Sequence, residues 1–481
     1  DSVQLSSNSS LSTNAQGDGS GGSIALNTNN LTIKENSNIS ANAQGLGSAG
    51  NINLQGRSQA ANINLNQGNI TANGAQGNLE IQAQNLDLNN NSLINAEGNQ
   101  GNIQVSSDSV QLSSSSSLST NAQGDGSGGS ITLNTNNLDL GEFSAISANA
   151  EGSKSAGNIT IDRLSQTPNV NLSQSSITAT GNQGNIRITS ENLQLDRTSS
   201  ISANAENNGD GGNIILTNNN NLELQESSVI STNAQGTGRG GNIEIVTDSL
   251  NISSNSEITA NASATSGGNI NIRVTSPRTL TLNSGKITAT GGQGNITVNS
   301  PITFLRNGSL ISTNGIGTEP GGNITINTDF LLSFPSENND ITANAQQSRG
   351  GRVIINSLGV FGLEFREFLT PLSDITVTSE LGPAFSGQVF IRVPEGDPTS
   401  AFTKLPEDLI DPANLIVIAC PADDGNIFIR TGKGGIPDNP EQPLRWRMIW
   451  QDLRDFFDLE NSEPEPSVPQ SDVEKKSLNC S

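Results

Sequence analysis

The sequence predicts an all-β solenoid, a single-stranded parallel β-helix of about 13 coils of about 28 residues with a small irregular C-terminal segment. Three observations predict it. A glycine anchor recurs at a fixed period, short alternating strands lie between glycine-rich turns, and the chain is too polar to bury a core unless its units stack.

The anchor is Gly-(Asn/Ser)-(Ile/Leu), found at Gly22, Gly50, Gly77, Gly101, Gly129, Gly157, Gly184, Gly212, Gly241, Gly268, Gly294 and Gly322. Successive spacings are 28, 27, 24, 28, 28, 27, 28, 29, 27, 26 and 28 residues, and the variant Gly351-Arg352-Val353 follows after 29. So regular a period marks units that each stack on their neighbours.

Each unit reads as three short strands with period-two alternation. The first is Ile or Leu followed by Ser/Thr-Ala/Thr-Asn, as in Ile39-Ser40-Ala41-Asn42 and Ile146-Ser147-Ala148-Asn149. The second is the anchor strand, as in Gly212-Asn213-Ile214-Ile215-Leu216, and the third is a Leu-x-Leu pair, as in Leu222-Glu223-Leu224. Gly-rich segments such as Gly17-Asp18-Gly19-Ser20-Gly21-Gly22 separate them and are expected to supply positive φ at the corners. β-branched residues and Gly dominate, and no 3.6-residue stripe supports a helix. Stacking at about 4.8 Å would make roughly 13 coils a rod of about 60 Å, with parallel pairing satisfying the backbone.

Asn14, Asn42, Asn121, Asn149, Asn204, Asn233, Asn261, Asn314 and Asn344 occupy equivalent positions in their units. Stacked amides can hydrogen-bond along the axis, and we read these as a structural ladder rather than a ligand-binding stripe. Ser2–Leu31 and Ser109–Leu138 differ only at Asn8/Ser115 and Ala25/Thr132, an offset of 107 residues or four units. A four-coil block was therefore duplicated, and such length change suits a spacer or fibre.

Composition narrows the function. The chain has 481 residues, no His, no Tyr, two Cys and 32% hydrophobic residues. Lack of His removes the commonest general acid/base and metal ligand near neutral pH. A net charge of −23, with 46 acidic against 23 basic residues, offers no footprint for nucleic acid and little for an anionic membrane. No 18-residue apolar run exists to form a transmembrane helix. The N-terminus opens inside a repeat without a signal-peptide pattern, so any such peptide is expected upstream and the chain reads as the C-terminal part of a longer protein.

The character changes near residue 300: only Pro168 and Pro277, of 18 Pro, precede residue 301. Phe361-Gly362-Leu363-Glu364-Phe365 reads as a capping insertion, after which the repeat resumes weakly at Ile375–Thr378 and Gly387–Phe390. The solenoid is thus expected over 1–395, a capping or docked segment over 396–460 and a disordered tail over 461–481. The middle segment holds Cys420 and both Trp, with a strand expected at Asp424–Arg430; Cys480 lies in the tail. Pairing of the two Cys stays open, and two Cys without His do not make a metal site.

The repeat, through Ile-Ser-Ala-Asn-Ala and Gly-Gly-Asn-Ile-x-Ile, resembles the filamentous-haemagglutinin-like exoproteins of cyanobacteria, of the two-partner secretion type. Cys420-Pro421 and Phe428-Ile429-Arg430-Thr431-Gly432-Lys433-Gly434-Gly435-Ile436-Pro437-Asp438-Asn439-Pro440 resemble that family's ending, with Lys433 and Ile436 where Arg and Leu are commoner. The resemblance implies a right-handed β-helix, export by an outer-membrane two-partner-secretion transporter, and a secreted or outer-membrane-surface location. It implies adhesive, biofilm or cell-surface roles and brings no catalytic residues.

The enzymatic rival is a polysaccharide lyase or hydrolase, which needs clustered carboxylates. Asp210, Glu223, Glu226, Glu244, Arg239 and Arg273 are scattered candidates, and we read them as solvated charges. Gly17–Gly22 and its copy at Gly124–Gly129 lack the full Ca²⁺-binding nonapeptide and read as turns. Gly432-Lys433-Gly434-Gly435 lacks P-loop spacing. Trp446 and Trp450 read as packing residues rather than a sugar or partner contact. No catalytic, cofactor or metal residue is assigned. The expected function is a non-enzymatic adhesin or structural exoprotein contacting cells, glycans or matrix. The alternatives are a carbohydrate-active enzyme or an inert spacer for a missing N-terminal domain.

Overall fold

The structure is a computed structural model describing residues 1–393, apart from 46, 57–60, 123–125, 152–153 and 276. The chain divides into two units, Asp1–Glu395 and Gly396–Ser481. Both Cys, both Trp, Asp424–Arg430, Gly432–Gly435 and the 461–481 tail lie outside the described residues, as do Gly124 and Asp125.

Alternating sequences such as Asn-Ile-x-Ile put every second side chain on one face, and that face is apolar in every turn. Neighbouring turns pair in parallel: Ile103 opposes Ile131 and Leu112 opposes Leu140, while Ile186 opposes Ile214 and Leu195 opposes Leu224. The register shift equals the length of a turn, so like residues stack on like. Two sheets result, one of 21 strands and one of 15. The second has one short strand per turn, apart from the added Glu364–Phe365, in keeping with the expected stack of about 13 coils. Helix is confined to two single 3-10 turns among the described residues, Pro335–Glu337 and Pro383–Phe385.

The core is a column of Ile, Leu and Val running through the stack, with Ile39, Ile70, Ile94, Leu118, Ile146 and Ile177 fully buried in the short-strand lane. Each such side chain contributes about 1.5–3 kcal/mol by leaving water. One turn alone has nothing to cover this face.

The three expected strands per turn need one correction. In many turns the anchor and Leu-x-Leu strands are one element, as in Asn78–Asn89, Asn102–Leu112 and Ser130–Gly141. A buried hydroxyl bends the strand at its middle. Ser107 Oγ donates to the carbonyls of Gln84 and Ser109 at 2.9 and 2.8 Å. Thr247 and Thr328 do the same in their turns. The hydroxyl takes up carbonyls that the bend removes from the ladder, so the chain turns without leaving buried acceptors unpaired.

Glycine has two tasks. In the Gly-rich segments Gly17, Gly45, Gly236 and Gly317 take positive φ of 60° to 71°, as expected, while the corner before most short strands is made by non-glycine residues at positive φ, such as Glu35 and Asn36 (both 55°) or Ser254 and Asn255 (52° and 61°). A buried Ser follows. Ser92 Oγ donates to Asn89 O at 2.6 Å and accepts Gly68 N–H at 3.2 Å from the adjacent turn. The anchor glycines instead lie where turns touch. A Cβ on Gly212 would stand 1.8 Å from Gly184 O, and one on Gly268 1.8 Å from Gly241 O. Their N–H groups also close the arch, Gly212 to Ala203 O at 2.8 Å and Gly241 to Thr232 O at 2.7 Å.

At the C-terminal end the insertion folds back as a cap. Glu364–Phe365 pairs beside Asp374–Thr376, and Arg366 is held between Glu364 and the fully buried Asp374. The last rung, Gln388–Arg392, pairs with Arg352–Asn356. Nearby, Arg306 lies over the rings of Phe304 and Phe334 and grips Glu337 with Nε and Nη2, at 2.8 Å for the shortest contacts.

Two predictions test this packing. Gly212→Ala is expected to destabilise by about 3 kcal/mol in denaturant titration, because backbone lies where the methyl must go. Gly141→Ala, where an added Cβ meets nothing within 4 Å, is expected to be near neutral.

The second concerns pH. The Arg306 hydrogen bonds hold the Glu337 carboxyl at about 2, below its ordinary 4.5. A depressed carboxyl stabilises the fold above its unfolded pKa and loses that effect as pH falls through the folded one. The thermal midpoint, followed by circular dichroism, should drop between pH 4.5 and about 2. Glu337→Gln should start lower at neutral pH and fall less across that window.

Candidate functional site

The outward face follows from the same register. Because Asn follows nearly every anchor glycine, its amide stands directly over the amide of the preceding turn. Asn78 Nδ2 donates to Asn51 Oδ1 and Asn102 to Asn78, each at 3.0 Å. A longer run joins Asn158, Asn185, Asn213, Asn242, Asn269, Asn295 and Asn323 at 2.7 to 2.9 Å. An amide has two N–H donors and two carbonyl lone pairs. The ladder engages one of each, so most turns present one further donor and one acceptor outward; Asn295 Nδ2 also donates to Gln293 O at 3.3 Å. Two residues along runs a second polar row that includes Asn53, Glu80, Gln104 and Thr132, and the two rows border a shallow polar groove over four turns.

The nine Asn singled out in the sequence do stack, with a different bond. Each Oδ1 accepts a backbone N–H from the next turn: Asn14 from Asn42, Asn233 from Asn261, Asn344 from Thr378, at 2.7 to 2.8 Å. The other six do likewise. They satisfy the arch where the ladder is interrupted. The amide-to-amide ladder belongs to the anchor Asn, and their near-invariable place after glycine was the available signal.

The scattered charges do not converge. Glu244 and Arg273 project from the anchor strands, Glu223 from the Leu-x-Leu lane, and Glu226 lies at a corner at φ 53°. Asp210 and Arg239 are in the arch, where Asp210 Oδ1 accepts Arg239 N–H at 2.9 Å. Burial raises the Asp87 carboxyl, yet its register partners are Asn64 and Gln111, so no second carboxylate stands beside it there. Asp340, also raised by burial, accepts the backbone N–H of Asp374 at 3.1 Å. Asp374 is enclosed and committed to Arg366 and Thr370. Among the described residues no group of three or more Asp, Glu, Cys or His could hold a metal ion.

What the arrangement can do is offer alternating donors and acceptors at every turn along a rigid face. Comparison with protein-family models, with curated proteins and with solved structures returns no match. The function of this surface therefore rests on its own chemistry.

Proposed function

We propose that the chain is a non-enzymatic exoprotein, secreted or displayed on the outer-membrane surface, that contacts cells or extracellular polysaccharide through its repeating polar face. The observation that carries the reading is the in-register run of outward amides from Asn158 to Asn323. A ligand with many similar hydroxyls meets the same donor and acceptor at successive turns. Contacts that are weak singly then add by avidity, by roughly 10²–10⁴ over one site. The resemblance to two-partner-secretion exoproteins supports the same location, with an outer-membrane transporter as the export partner.

The test is incubation of the purified chain with soluble neutral and acidic polysaccharides, following retention on the polymer and the appearance of new reducing ends. Retention without new ends is expected. New ends, lost when a carboxylate is neutralised, would make the chain an enzyme and contradict the proposal.

A further inference from the structure

The rod is regular except at one corner. Between the anchor and Leu-x-Leu lanes the chain passes through without a break in Asn78–Asn89, Asn102–Leu112 and Ser130–Gly141, and again in Asn185–Asp196 and Asn213–Leu224. Three turns differ. Strands end at Gln55 and resume at Asn62, end at Arg163 and resume at Asn169, and end at Val274 and resume at Thr279. These interruptions fall on every fourth turn, the same interval as the duplicated block, which sets them about 19 Å apart along one corner. Both prolines that precede residue 301, Pro168 and Pro277, lie in them. The second carries Arg163-Leu164-Ser165-Gln166, and Arg278 ends the third. Insertions that recur on one edge of a solenoid are where binding faces are built.

The second insertion is held rigidly. Asn136 Oδ1 accepts the backbone N–H groups of Ser165 and Gln166 at 3.0 Å and the Ser165 hydroxyl at 3.1 Å. Glu191 N–H donates to Pro168 O at 2.7 Å. From the following turn, Asn219 Nδ2 donates to Glu191 Oε2 and Thr167 Oγ1 at 3.2 and 3.3 Å. Beneath it lies a cleft lined by Arg163, Ser165, Gln166, Thr167, Asn169 and Glu191. Among the described residues, the Arg163 guanidinium and the Gln166 amide make no protein hydrogen bond or ion pair. Leu164, beside them, is 40% exposed. The cleft thus holds a carboxylate acceptor and cationic and neutral donors, with the exposed Leu164 next to Arg163 in the chain, on a frame that needs no ordering to bind.

We propose that the second insertion is a sugar-contacting site in addition to the polar face, with the Arg278 corner four turns on as a further contact, and that the Arg163 cleft takes a neutral, hydroxyl-rich polysaccharide chain. The proposal rests on the exoprotein reading above and adds a further place of contact and its chemistry. Adjacent hydroxyls donate to Glu191 and accept from Arg163 and Gln166, while Leu164 covers a C–H face of the ring. A polyanion would meet Glu191 and a chain of net charge −23. A polycation would meet Arg163. A spacing of about 19 Å exceeds the Debye length of about 8 Å at physiological salt, so the sites act independently and join only through the length of one polymer.

The experiment uses the full chain in affinity electrophoresis through gels containing soluble β-glucan, mannan or alginate. Arg163→Ala/Gln166→Ala is expected to weaken retardation by a neutral polymer roughly tenfold, and adding Arg278→Ala to weaken it further. Arg239→Ala, which removes the same charge from the arch, should change nothing. Circular dichroism should be unaltered, since neither side chain of the double variant supports the fold. Equal retardation of wild type and loop variants would overturn the loop assignment and leave the exoprotein reading standing. Retardation by alginate alone would also overturn it. A wild-type chain retarded by no polymer would contradict both.

Discussion

Parallel strands in one sheet must lie about 4.8 Å apart, and in this chain that spacing applies to whole turns as well as to strands. Every backbone group outside the arches is paired only if the next turn arrives in register. The apolar column is covered only if the next turn places Ile over Ile. The anchor glycines express the constraint most directly, because Gly184, Gly212, Gly241 and Gly268 carry backbone where any other residue would carry Cβ. Shift one turn by a residue and the inward Ile faces water while the outward Asn faces the core.

Register also explains how a chain with only 32% hydrophobic residues forms a core at all. Polar groups that would be costly in an irregular interior become repeating partners in a stack. Most buried Ser and Thr at the bends, most Ser behind the left-handed corners and the arch Asn bond to backbone of their own or an adjacent turn. Each is a local departure from sheet geometry, and most are satisfied by the same means in successive turns.

Much of this was legible in the sequence. The period, the three apolar lanes and the stacking of arch Asn follow from spacing and alternation. The fused strands were not legible, because a Ser or Thr between two alternating runs reads equally well as loop or as an inward bend. The role of the anchor glycine was hidden for a similar reason: positive φ and close approach select the same residue, and only neighbouring turns distinguish them. The corner insertions were visible as Pro168 and Pro277 but not as a series, since their common position depends on which turn each belongs to. No pattern in the sequence gathers Arg163 and Glu191, which lie on adjacent turns and meet only through stacking.

The central claim is one rung per repeat in unbroken register. It is tested most directly by spin-label distances in a chain with Cys420→Ser and Cys480→Ser. Thr132 and Glu244 are separated by four rungs through Thr160, Arg187 and Ile215, and Ile354 lies four further on through Asn271, Thr297 and Thr325. Labels at Thr132→Cys with Glu244→Cys, and at Thr132→Cys with Ile354→Cys, should give single narrow separations of about 19 and about 38 Å. Broad distributions, or a second distance that fails to double the first, would contradict the stack.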